Sequence, residues 1–315
     1  MRGIALALLA ATLLPGGPAL AATAYPLSLG NCGFTVTLDR APQRVVTIKS
    51  TATELLLALG LGNRIVGIGF QDGPLPAELA AAGAGLPVLS DKLPAPEVVL
   101  GAEPDFIYGG WESNFAADGA GERPTLARLG ITSYVAPPAC RTVKPEKLSF
   151  QALFDDIAEM GTIFDAEAAA TALIARQQAS LATVAPDTRG LTALWYSSGT
   201  KVPYVGAGSN APAMMLEALG LENIFAGVDD GWISASWEAI VDADPDVIVL
   251  VDSAWNSAAQ KRKLLAGNPI TSRLAAVIEQ RYLVVPFPAS EAGVRNVPAV
   301  LDMAAQLAAL QFPSP

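Results

Sequence analysis

Short runs of aliphatic and β-branched residues recur along the chain, separated by stretches whose apolar positions follow helical spacing. Residues 44–48, 106–108, 132–135, 191–196, 247–251 and 282–285 read as strands, and 52–59 and 213–219 as helices between them. The alternation of strands with helices argues for parallel sheets wound from βαβ units.

One stretch has a different texture. Residues 165–183 are rich in Ala, Gln, Glu and Leu and contain neither Gly nor Pro, while Leu173, Ile174, Ala175, Leu181 and Val184 form a stripe at helical spacing. Asp165 stands where an N-cap belongs, and Pro186 lies where the helix should have stopped. This predicts one long helix between two α/β halves.

The halves echo each other. Ala58-Leu59-Gly60-Leu61-Gly62-Asn63 has a counterpart in Ala218-Leu219-Gly220-Leu221-Glu222-Asn223, each with glycine placed to end a helix. Glu97 precedes Pro104-Asp105 by seven residues, and Glu238 precedes Pro245-Asp246 by the same interval; a strand follows both. Two repeats in the same order predict two lobes of shared topology.

The N-terminus adds a compartment. Arg2, an apolar run at 4–14, a Pro/Gly breaker at 15–18 and Ala19-Leu20-Ala21 read as a secretory signal over residues 1–21. The apolar run is far shorter than the ~20 residues needed to span a bilayer. No cysteine lies at the cleavage site, so no lipid anchor is expected and the product should be soluble in the periplasm. Two cysteines, Cys32 and Cys140, then favour a disulfide in an oxidising compartment. A net charge of −10, one unit more negative without Arg2, makes nucleic acid an unsuitable partner. The chain has no histidine, which excludes Ser-His-Asp and Cys-His catalysis, His-ligated zinc and histidine ligation of haem.

With these residues assembled, the chain resembles the class III solute-binding proteins of ABC importers, which serve cobalamin, ferric siderophores and haem. The likeness runs from about residue 25 to 310 and is carried by RVVTIKSTATELLLALGLGNRIVGI, PEVVLGAEPDFIY and SWEAIVDADPDVIVLV. It implies two Rossmann-like lobes joined by one long helix, with the ligand in the cleft between them. The implied divisions are an N-terminal lobe at 22–163, a connecting helix at 164–186 and a C-terminal lobe at 187–315. It also implies that Glu97 and Glu238, one per lobe, dock to arginines of the membrane permease and so act indirectly on its ATPase. A monomer with no cofactor or metal of its own is expected. A narrower likeness, carried by GWESNFAADGAGERPTLARLG, LWYSSGT, PYVGAG and VVPFPASEAGVRN, is to a subgroup named as importers of a deazaflavin-cofactor precursor.

In doubly wound lobes, ligands sit beyond the carboxyl ends of the strands. That rule selects Lys49, Ser50, Trp111, Glu112, Tyr196, Trp255, Glu291 and Arg295, with Phe70 and Trp232 from neighbouring loops. The aromatic residues suit a flat or ring-bearing ligand. Lys49 and Arg295 would pair with a ligand carboxylate or phosphate, or else neutralise Glu112 or Glu291. The two glutamates would alternatively hold a hard metal. The loop 204–210 has neither dinucleotide nor P-loop spacing and reads as a βα turn. No catalytic residues are assigned. The competing reading is an exported hydrolase using carboxylates such as Glu112, Asp118, Glu122 and Asp230, which requires an acid and a base paired in one cleft.

Overall fold

The structure is a computed structural model that describes residues 22–312. The expected signal segment at 1–21 lies outside the described residues. Among them, no helix is long and apolar enough to cross a membrane.

The chain opens with an antiparallel hairpin, β1 (Leu27–Asn31) and β2 (Phe34–Leu38). The first lobe is built on a parallel sheet of β3 (Val45–Ile48), β4 (Ile65–Gly69), β5 (Val88–Ser90), β6 (Phe106–Gly109) and β7 (Thr132–Val135), in the order β5-β4-β3-β6-β7. The second lobe uses β8 (Thr192–Ser198), β9 (Tyr204–Gly206), β10 (Glu222–Asn223), β11 (Trp232–Ser234), β12 (Val247–Asp252) and β13 (Tyr282–Pro286). Its order is β11-β9-β8-β12-β13, with β10 beside β8 and β9 antiparallel to both neighbours. All of β3, and β12 through Val251, are buried. Parallel strands covered by helices on both faces are therefore near-continuous hydrophobic runs.

The internal repeats have a shared physical cause. Helices Ser50–Ala58 and Ala211–Ala218 are each followed by a glycine at positive φ, Gly60 at 75° and Gly220 at 72°. Each Pro-Asp turn fastens its carboxylate to the start of the lobe's first parallel strand. Asp105 accepts the backbone N–H groups of Gln43 (3.0 Å) and Arg44 (2.9 Å), and Asp246 accepts the N–H (2.9 Å) and hydroxyl (3.0 Å) of Thr192.

Within the stretch read as the connecting helix, the structure has a helix at Glu167–Leu181. Ala170 and Leu173 pack in the first lobe's core, Val184 lies against the second's and Leu181 against both. Asp165 does not cap it: the N-cap is Ala166, which makes no side-chain cap. Asp165 instead holds φ at 52° and accepts the Thr23 N–H at 2.8 Å. A second helix, Phe150–Ile163, which the sequence reading missed, precedes the connector and packs along it. It too is shared, with Leu153 in the second lobe's core and Phe154, Ile157 and Met160 in the first's. Before that helix, the chain has already crossed over, since the Leu148 N–H donates to the Ser209 carbonyl at 2.8 Å. The crossover is pinned to the hairpin by the Cys32–Cys140 disulfide, with Cα atoms 5.2 Å apart.

One carboxylate on the shared helix is placed against its preference. Asp156 borders a small cavity between the lobes, with Tyr108, Ala136, Leu153 and Gly293. Burial, reinforced by Glu159 and Asp155, pushes its pKa up to about 7. At low pH, both folded and unfolded chains hold this proton and there is no penalty. As pH rises from about 3.8, the unfolded chain releases it first, so stability falls until the folded carboxyl ionises near 7. At about 1.4 kcal/mol per unit, the loss is bounded at roughly 4 kcal/mol. Asp156→Asn is expected to raise the thermal midpoint at pH 8 and to leave it unchanged at pH 4. A midpoint unchanged at both pH values would show the carboxylate to be hydrated.

Candidate functional site

The parallel strands of both sheets point their carboxyl ends toward the space between the lobes. At the end of β3, Lys49 takes a positive φ of 79°, and at the end of β4, Phe70 does so at 52°, conformations that persist only where surrounding packing enforces them. The turn after β6 comes so close that a Cβ on Gly110 would stand 2.7 Å from the Lys49 Cβ, so only glycine fits there.

Lys49 is 2% exposed and is ion-paired to Asp72. Its Nζ lies 3.7 Å from the Trp111 ring centroid, 4.4 Å from Phe70 and 5.5 Å from Phe287. An ammonium held among ring faces gains cation–π attraction in place of water. Burial still lowers its pKa, with Asp72 and Glu291 opposing. Phe70 meets Trp111 edge-on at 5.9 Å, and Trp255 meets Phe287 edge-on at 5.0 Å. Trp255 is 60% exposed, an unusual position for so large an apolar ring. The lobes touch through Trp111, whose indole N–H donates to Glu291 at 3.0 Å. Burial raises the Glu291 pKa, while this bond and Lys49 pull it down. A separate wall is made by Tyr204 and Trp232, stacked at 5.8 Å and 12°.

The structure therefore brings Lys49, Phe70, Trp111 and Glu291 together, with Trp255 joined through Phe287. Other nominated groups are already engaged. Ser50 accepts the Asp72 N–H at 2.8 Å. The Glu112 carboxylate accepts the Thr142 N–H at 2.8 Å, the Thr142 hydroxyl and the Arg141 N–H. Burial pushes the Glu112 pKa upward, but these donors outweigh it and hold it below the usual range. Tyr196 does not follow its strand, because β8 runs on to Ser198 to pair with β9. It is 1% exposed, donates to the Gly199 carbonyl at 2.6 Å and packs against Trp237, a core position. Arg295 is paired neither with Glu112 nor with Glu291 but with Glu54 of the first lobe, and it also donates to the Pro74 carbonyl at 2.8 Å. The turn after β9 is packed rather than open: a Cβ on Gly208 would lie 2.4 Å from the Ala226 carbonyl oxygen. Asp72, Phe287, Tyr204 and Glu54 were missed from sequence, since nothing local marks their long-range partners.

Glu112 is tied to the crossover at Arg141 and Thr142, and Asp230 bonds its own turn at Gly231. The described residues do not pair them as acid and base. Nor do they hold any cluster of three or more candidate metal ligands.

Residues 45–289 match the family described as periplasmic binding protein. The chain belongs to the periplasmic binding protein family. It is 26% identical over 277 residues to an uncharacterised ABC transporter substrate-binding lipoprotein, YvrC, of Bacillus subtilis, covering 85% of this chain and 81% of that one. It is 27% identical over 285 residues to a cobalamin-binding protein of Halobacterium salinarum, covering 85% and 71%. A periplasmic binding protein from Veillonella parvula superposes with a TM-score of 0.80 at 25% identity, covering 91% and 98%.

Proposed function

We propose that this protein is the periplasmic solute-binding component of an ABC importer. It captures a siderophore-, corrinoid- or deazaflavin-like molecule between its lobes and delivers it to the permease, without chemistry. The observation that carries this reading is the aromatic seam: Phe70 and Trp111 of one lobe and Phe287 of the other surround a neutralised Lys49, with Trp255 packed edge-on against Phe287. Apolar walls with few polar groups suit a large ring-bearing solute. The names of the two relatives, one a substrate-binding and one a cobalamin-binding protein, support the same class.

Delivery rests on Glu97 and Glu238. Both are exposed, and both occupy the first turn of a short helix, Pro96–Gly101 and Trp237–Ala243. Each helix runs back from the carboxyl edge of its sheet to the next parallel strand, so its start lies on the cleft side of its lobe. A carboxylate there is favoured by the helix dipole and free to meet a cationic partner. The test is the cognate permease–ATPase reconstituted in nanodiscs, with ATPase stimulation read against binding-protein concentration. Glu97→Arg with Glu238→Arg is expected to raise the half-stimulating concentration at least tenfold, each single change having a smaller effect. Unaltered stimulation by the double variant would remove the docking role.

A further inference from the structure

Lys261 is placed against two preferences of a lysine. It is 1% exposed, and it is the fourth residue of the helix Ala258–Gly267, with its ammonium at the N-terminal end, where the dipole disfavours positive charge. The stem runs back past the helix start, and Nζ donates to the carbonyls of Val251 at 2.5 Å and Asn256 at 2.6 Å. Its remaining side faces the Tyr196 ring, 5.8 Å from the centroid. Burial lowers its pKa to about 8, with Asp252 opposing.

The two carbonyls lie on either side of the turn that joins β12 to the helix. Within it, the Asn256 N–H donates to the Ser253 carbonyl at 3.2 Å and the Ser253 hydroxyl to the Asn256 carbonyl at 3.2 Å. Beyond it, Asp252 accepts the Ala258 N–H at 2.7 Å, and Ser257 and Gln260 form a capping box. Ala254 and Trp255 are left at the tip. The Trp255 ring is 60% exposed and meets Phe287 edge-on, and Phe287 in turn lies 5.5 Å from the Lys49 ammonium. On a mobile turn, a ring of this size would fold down and lose its wet surface. A buried ammonium is a costly way to close so short a turn, and the group whose orientation it fixes is the exposed indole.

We infer that Lys261 is a positioning residue for solute recognition: by tying both ends of the turn, it holds the Trp255 indole as a preformed wall for the flat part of a ring-bearing solute. The inference rests on the solute-binding reading and deepens it. A wall ordered before the solute arrives lowers the entropy lost on binding.

The test uses the full mature protein labelled with 5-fluorotryptophan and read by fluorine NMR, the Trp255 signal being assigned by its loss in Trp255→Phe. In wild type, that signal is expected to be single and narrow despite its exposure. Lys261→Met should split it or at least double its linewidth, leaving the other four tryptophan linewidths unchanged, and Lys261→Arg should restore part of the narrow line. Riboflavin and cyanocobalamin are then titrated by calorimetry. At least one should bind Lys261→Met fivefold or more weakly than wild type, and the difference should vanish in a Trp255→Ala background. A Trp255 signal untouched by Lys261→Met, a binding loss that persists without Trp255, or no binding of either probe to wild type would each overturn the assignment. Should Lys261→Met broaden all the signals, hydrogen exchange on wild type decides. The Asn256 and Ala258 N–H groups are expected to exchange at least tenfold more slowly than unstructured amides, and unprotected exchange would overturn the clamp. None of these results alters the ATPase measurement on Glu97 and Glu238, so failure of the wall and failure of the importer reading are told apart.

Discussion

Replacing Lys49 with methionine is expected to lower the unfolding free energy by about 3–5 kcal/mol, the usual cost of leaving one member of a buried ion pair alone. The stem stays and only the charge goes, so the effect is electrostatic rather than a matter of volume. The Lys49 and Asp72 side chains are 2% and 3% exposed, which leaves the stranded carboxylate almost no water. Its remaining contacts are to the Ser50 backbone, with an N–H at 3.3 Å, a weak substitute for an ammonium. Adding Asp72→Asn to Lys49→Met removes the stranded charge, and most of the lost stability should return, because two neutral groups of similar shape cost little to bury. Urea denaturation of the two singles and the double closes the cycle. A single Lys49→Met variant that loses less than about 1 kcal/mol would place the pair among solvated ones.

The Glu54–Arg295 pair should show a similar loss for Arg295→Met, about 3–5 kcal/mol near neutral pH, but with a second signature. Glu54 is 1% exposed on the first lobe's opening helix, and Arg295 is 14% exposed just before the final helix, Asn296–Ala309. Burial already raises the Glu54 pKa, and Arg295 is what holds it down. Without the guanidinium, the carboxyl rises further, so the variant's deficit should shrink as pH falls toward the unfolded carboxyl range and the proton replaces the lost partner. Because the two residues tie distant parts of the chain, spin labels on opposite lobes should also report a broader distance distribution in Arg295→Met. A deficit independent of pH would mean that Glu54 had found another cation, and an unbroadened distribution would confine the pair to local packing.

The strands at the centre of both sheets were legible because burial on two faces demands continuous apolar runs, as in Val247–Asp252. β4 was not, since two of its five residues are glycine. Gly67 is there because the Leu89 side chain of the next strand fills the place of its Cβ, at 2.5 Å, a reason invisible in one segment alone. The helix Phe150–Ile163 was missed because its apolar face is divided between two cores. The site was half legible for a related reason. Aromatic residues after strands can be read by position, which picked out Phe70, Trp111 and Trp255, whereas Trp232 opens β11 instead of lying in a loop. Which cation is neutralised depends on partners such as Asp72 and Glu54, which lie 23 and 241 residues away.

The reach of Arg295 back to Glu54 also sets an order of assembly. Synthesis delivers the first lobe's sheet long before residue 295, and Gln177 waits as well, donating to the Val294 carbonyl at 2.9 Å from the connecting helix. Until the last twenty or so residues arrive, the opening helix carries a carboxylate with no counter-charge, and the nascent first lobe is unfinished however much of its sheet is present. A chain built this way postpones its commitment to the native state until the segment carrying Val294 and Arg295 has been made.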